Sequence, residues 1–277
     1  MKDSKKVLIF TYYWPPSGGS GVQRWMYFTK YLKQLGWEPI VITVNEKQAS
    51  YPVLDFELLE QVKDIQVIKT DTKEPLKIYS QILTGSSNKG IPQGAISKKG
   101  WFSKIASFIR GNFFIPDPRK GWNSYAKMEA EKLIRQLGIQ KVITTGPPHS
   151  THLLGLKLKA QFGIQWWADF RDPWTDIFYN KDLYRTFWAK RIDARWEEKV
   201  LQTADGILTT VRGNLVRKLQ TKAPHQNFHV LPNGYDAQLM SSISKTTIEP
   251  FHVIYTGLLT ENQDFHPVIE VLNTLAD

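Results

Sequence analysis

The chain of 277 residues carries 36 Lys and Arg against 26 Asp and Glu, a net charge of +10, and is 42% hydrophobic. That length fits one large or two small domains with a buried core, and the lack of cysteine excludes disulfides and thiolate metal ligands. The positive balance suits nucleic acid, an anionic membrane surface or a phosphorylated small molecule, and charge alone does not choose among them.

The apolar run Val7–Phe10 is too short for the apolar core of a signal peptide and has no small-residue cleavage site behind it. No stretch reaches the roughly eighteen apolar residues of a membrane span. A cytoplasmic protein, soluble or peripheral on the inner face of the membrane, is expected.

Val7 to Tyr12 is β-branched and aromatic and reads as a buried first strand, broken by Pro15-Pro16 and Ser17-Gly-Gly-Ser-Gly21. From Val22 to Leu35 the apolar side chains follow helical spacing, Gly36 ends the helix, and Pro39–Val44 reads as a second strand. A strand, glycine loop, helix and strand in succession make a βαβ unit and imply a parallel sheet. Further strands are expected at Ile65–Ile68, Lys141–Thr145, Gln165–Ala168, Gly206–Thr210 and Phe228–Leu231, and helices at Lys120–Leu137, Leu153–Phe162, Lys181–Thr203 and Asn214–Gln220. Such alternation predicts an α/β, Rossmann-like, doubly wound parallel sheet.

Residues 85–100, rich in Gly, Ser, Asn and Lys, read as a loop, and residues 240–250 as a linker closing a first domain of residues 1–239. Behind the linker, His252–Thr256 reads as a strand and Asp264–Leu275 as a helix, the start of a second domain over residues 251–277. One strand and one helix cannot bury a core, so most of that domain is expected to be missing.

Four segments carry candidate chemistry. Gly18, Gly19, Ser20 and Gly21 follow the first strand, where bare backbone and a helix N-terminus can hold an anion. As a dinucleotide fingerprint the run fails, because Arg24 stands where a small residue should pack, and no Walker lysine is present. Thr144–His152 joins a strand's carboxyl end to a helix start, with Ser150 or Thr151 as the cap, and offers His149 and His152 to a sugar hydroxyl or a phosphate. Ala168–Trp174 gathers Asp169, Arg171, Asp172 and Trp174, which can accept sugar diols, stack on a pyranose or tie down their own loop. Residues 98–122 hold six basic residues against one acidic. Trp101, Phe102, Ile105, Phe108, Ile109 and Phe113 share a helical face there, with Lys104, Ser107, Arg110 and Gly111 elsewhere. Such a helix suits an anionic bilayer or the domain's own core.

Taken in order, six segments resemble the retaining family-4 glycosyltransferases of the GT-B fold: Val7–Pro16 with Gly18 and Gly19, Ile115–Trp122, Gly146–His152, Asp169–Trp174, Ala204–Thr210 and Leu231–Asp236. The resemblance implies the N-terminal, acceptor-side domain of an enzyme that moves a sugar from a UDP- or GDP-linked donor to a glycan or polyprenyl-linked acceptor, in surface polysaccharide or glycolipid synthesis. It places donor contact at Gly18 and Gly19 and, less directly, at His149 or His152, with no metal and no protein nucleophile. The family's phosphate-binding cations and paired glutamates belong to the second domain, so residues 1–277 by themselves are expected to be inactive. Two other classes fit less well. An oxidoreductase would need the missing third glycine, and a nucleic-acid-binding protein would need a recognition pattern that is not visible. A non-catalytic nucleotide- or anion-binding module is the alternative.

Overall fold

The computed structural model describes residues 5–51, 53–74, 101–236, 240–241, 252–255 and 264–276. Seven strands form one parallel sheet in the order β3-β2-β1-β4-β5-β6-β7: β1 is Lys6–Phe10, β2 Glu38–Val44, β3 Gln66–Thr70, β4 Lys141–Gly146, β5 Gln165–Phe170, β6 Gly206–Thr209 and β7 Phe228–Val230. The helices are α1 (Ser20–Gln34), α2 (Glu57–Glu60), α3 (Trp101–Phe113), α4 (Asn123–Leu137), α5 (His152–Phe162), α6 (Phe187–Thr203), α7 (Asn214–Lys222) and α8 (His266–Ala276). The doubly wound Rossmann-like arrangement expected from the alternation is the one observed.

Both faces of the sheet are covered, which is why the strands read as continuous apolar runs rather than alternating ones. Leu8, Phe10, Ile40 and Ile42 face a core built with α4, α5, α6 and α7, through residues such as Ala130, Leu154, Val200 and Leu219. Val7, Ile9 and Val41 face the opposite core, closed by Trp25 and Met26 of α1 and Leu58 of α2. Each such side chain removed from water contributes roughly 1.5–3 kcal/mol. Gly138 and Gly163 end α4 and α5 at φ 61° and 64°, where a Cβ would be strained.

Several boundaries differ from the periodicity. The helix expected from Lys120 begins at Asn123, because Asp117 caps a separate 3-10 turn, Pro118–Trp122, by accepting from the Arg119 N–H. The helix expected from Lys181 begins at Phe187: a 3-10 turn over Phe178–Leu183 ends with Tyr184 at φ 45°, and the Thr186 hydroxyl then caps α6. Thr151 sits at the N-cap of α5 but its side chain makes no cap bond.

The chain divides into compact units at Met1–Gly234 and Tyr235–Asp277. In the second, residues 252–255 carry no strand pairing among the described residues, where a strand is expected, and α8 exposes Val268, Ile269, Val271 and Leu275. The loop expected at 85–100 and most of the linker expected at 240–250 lie outside the described residues.

Candidate functional site

β1 and β4 are adjacent, with Phe10 opposite Thr144, and the chain runs outward from this pair in both directions. Loops leaving the carboxyl ends of the pair therefore diverge, opening the crevice where doubly wound sheets take ligands. The loop after β1 enters it through three glycines with different tasks. Gly18 donates its N–H to the Val53 carbonyl at 2.9 Å, and a Cβ there would press on Val53 and Asp55. At Gly21 a Cβ would lie 3.0 Å from Arg171 Nη1. Only Gly19 faces open space: its φ of 94° is closed to other residues, and nothing lies within 4 Å of where its Cβ would be. It hands the chain to α1, whose first turn has no side-chain cap and no acidic residue. Bare amides and the positive end of a 15-residue helix therefore sit beside the one open glycine. The side chain of Ser20 lies outside the described residues.

Asp169, expected to accept sugar hydroxyls, is 0% exposed and fully engaged. It accepts from Arg24 Nη2 at 2.8 Å, Trp25 Nε1 at 2.7 Å and Thr145 Oγ1 at 2.9 Å. Arg24 also donates through Nη1 to the Leu231 carbonyl at 2.7 Å and to Asn233 Oδ1 at 2.9 Å. This pair joins α1, β4, β5 and the segment after β7 into one frame, and neither partner is free for an acceptor. Arg171 is likewise committed, to the carbonyls of Gly146 at 3.1 Å, Pro147 at 2.6 Å and Gly21. It pins the glycine loop against the loop after β4. Asp172 is exposed.

His149, His152 and Trp174 depart from their expected roles for one shared reason: they are stacked inside the domain. His152 packs on Phe170 at a ring separation of 4.7 Å and His149 on Trp174 at 5.1 Å, nearly parallel in both cases. His152 is bonded to Thr144 Oγ1 at 2.9 Å, and the Trp174 indole to Asp193 Oδ1 at 2.8 Å. Burial lowers the His149 imidazole to about 3, and lowers His152 well below its ordinary value. Neither ring carries charge near neutral pH, so neither neutralises a phosphate there, and Trp174 has no open face for a pyranose.

The aromatic helix docks through its small residues. Ser107 and Gly111 of α3 are buried, and a Cβ at Gly111 would overlap the Leu183 carbonyl. Trp101, Lys104 and Phe108 are exposed, while the side chain of Phe102 lies outside the described residues. Arg110 does not join them. It turns inward to a cavity shared with Asp117, Arg119, His149, Tyr179 and Arg185. A charge pattern shows helical facing, but not which face docks. Two buried carboxylates of α6 were also hidden in its dense charge: Asp193, paired with Arg185, and Glu197, paired with Lys222 at 2.7 Å. Among the described residues no three His, Asp or Glu side chains are grouped to hold a metal ion. No helix there is long and apolar enough to cross a membrane.

The sheet order and its flanking helices define a Rossmann-like α/β domain whose switch point lies between β1 and β4. Sucrose-phosphate synthase from Thermosynechococcus elongatus has this fold over 84% of the chain and 49% of its own, at 12% identity and a TM-score of 0.50. A glycosyltransferase from Rickettsia africae matches 87% of the chain and 47% of its own at 12% identity and TM-score 0.44. MurG from Acinetobacter baumannii matches 85% and 70% at 14% identity and TM-score 0.32. The chain spans about half the length of the first two, and at these identities the likeness is one of fold. No family model and no curated protein sequence matches the chain.

Proposed function

We propose that this domain is the acceptor side of a retaining, family-4-type glycosyltransferase. In this reading it moves a sugar from a UDP- or GDP-linked donor to a glycan or polyprenyl-linked acceptor, facing a second α/β domain that holds most of the donor. The observation that carries the reading is Gly19, the open backbone position at the switch point, delivering the uncapped start of α1. As the sugar–phosphate bond breaks, negative charge grows on the leaving diphosphate. Preorganised amides and a helix N-terminus stabilise it without reorganising. Arg171 and the Arg24–Asp169 pair act behind this edge, holding the loops that frame it. No side chain of this domain is assigned as a nucleophile. The exposed Trp101, Phe108 and Lys104 of α3 support work at an anionic membrane face.

Thermal unfolding with UDP-sugars, GDP-sugars, NAD and duplex DNA tests the class, and release of UDP or GDP by the two-domain protein in the presence of acceptor tests transfer. A rise in Tm with one sugar-nucleotide series, and nucleotide release that needs acceptor, are expected. Protection by NAD or DNA but by no sugar nucleotide would sink the reading. Protection by a sugar nucleotide without any transfer would leave the non-catalytic anion-binding module in its place.

A further inference from the structure

A small cavity of about 40 Å³ lies beside the carboxyl ends of β4 and β5, walled by α3, the 3-10 turn after Asp117 and the segment after β5. Three guanidinium groups line it, from Arg110, Arg119 and Arg185, with two carboxylates, Asp117 and Asp193. Of the two carboxylates only Asp193 is ion-paired, while Asp117 is held by uncharged donors. Asp117 accepts from Ser150 N at 2.7 Å, Ser150 Oγ at 2.8 Å and Arg119 N at 3.0 Å. Asp193 pairs with Arg185 and accepts from the Trp174 indole. Glu74, whose charge also reaches Arg119, is bonded to Tyr12 and Ser50. Among the described residues Arg110 and Arg119 thus have no carboxylate within ion-pair distance. Arg119 is 8% exposed and its Nε has no hydrogen-bond partner. The ring nitrogens of His149, on the same wall, have none either.

Arg119 Nε and both His149 ring nitrogens are thus buried without a partner on one wall of the cavity, and an anion there would supply the acceptor that the guanidinium lacks. Planar forks of N–H donors match the paired oxygens of a phosphate, as they do those of a carboxylate. We propose that this cavity binds a phosphate or diphosphate group of the acceptor, held by Arg110 and Arg119 with the Tyr179 hydroxyl beside them. The proposal rests on the acceptor-side reading above. Phosphate of this kind could come on a lipid or on a soluble sugar phosphate. The same helix that turns Arg110 inward exposes Trp101 and Phe108, so an apolar tail leaving the cavity would meet an aromatic surface.

Calorimetric titration of the protein with inorganic pyrophosphate and with farnesyl diphosphate tests it. Pyrophosphate should bind, and Arg110→Gln and Arg119→Gln should each weaken it at least tenfold, with Arg119→Lys restoring part of the loss. Should Arg119→Gln fail to fold, Arg110→Gln, at the less buried of the two arginines, decides. Farnesyl diphosphate binding tenfold tighter than pyrophosphate, and losing that gain in Trp101→Ser/Phe108→Ser, identifies a lipid-borne phosphate. Equal affinity for the two identifies a soluble one. No pyrophosphate binding, or binding untouched by both glutamine variants, overturns the proposal. Arginine-dependent binding in a protein that transfers no sugar would sink the enzymatic reading and leave this site standing.

Discussion

Arg24 and Asp169, 145 positions apart in the chain, form a salt bridge of 2.8 Å in which the two side chains are 1% and 0% exposed. Removing one member strands the other in the interior. Asp169→Ala is expected to cost about 3–5 kcal/mol of stability, because Arg24 loses its charge partner and Trp25 and Thr145 lose their acceptor. The exposed pair Lys63–Glu60 is worth under about 1 kcal/mol when broken. Urea unfolding of both variants checks the contrast, and similar losses would contradict it.

At Gly19 the backbone has φ 94° and ψ 167°, a region used almost only by glycine. Gly19→Ala should cost roughly 1–3 kcal/mol through backbone strain alone, since the added methyl meets no neighbour. Gly19→Val should further damage donor use while the domain stays folded. Unchanged sugar-nucleotide protection against heat in Gly19→Val would reduce the loop to a plain turn.

The buried imidazoles make stability depend on pH. His149 titrates near 3 in the folded domain against an ordinary 6.5, and His152 is shifted in the same direction. Between those values the unfolded chain binds protons that the folded one refuses, so acid favours unfolding. Stability should be level above pH 6.5 and should fall as pH drops below it, by up to about 1.4 kcal/mol per unit for each ring. Chemical unfolding at pH 7.5 and 5 reads this directly. A loss that persists undiminished in a His149→Gln/His152→Gln variant would assign it to other groups.

Gly111 lets α3 lie against Leu183 and Arg185. Gly111→Leu should lift the helix and cost about 1–3 kcal/mol from overpacking. Faster proteolytic cleavage between α3 and the rest of the domain is the expected sign, and protection equal to wild type would refute the packing role.

Trp101 and Phe108 are exposed at 72% and 41%, with Lys104 outward beside them. Each basic residue near an anionic surface is worth on the order of 1 kcal/mol, with buried aromatics adding to it. Co-sedimentation with anionic vesicles should exceed that with neutral ones and fall sharply in Trp101→Ser/Phe108→Ser, with stability changed by less than about 0.5 kcal/mol. Equal indifference of wild type to both vesicle types would remove the membrane from the picture.

The run Val7–Phe10, the stop at Gly138 and the helical spacing from Val22 announce their elements in the chain because periodicity and backbone freedom act over a few residues. The doubly wound sheet followed from that alone. Nothing local separates Asp169 from Asp172, yet one is sealed under Arg24 and the other is exposed. Likewise Arg110 and Lys104 differ in sequence by little, and His149 and His152 look like free loop histidines until Phe170 and Trp174 close on them. Burial of a polar group depends on partners brought from distant strands, and its protonation and availability follow from that burial. The strand pattern determined where a ligand could arrive, while only the assembled tertiary structure decided which side chains remain free to meet it.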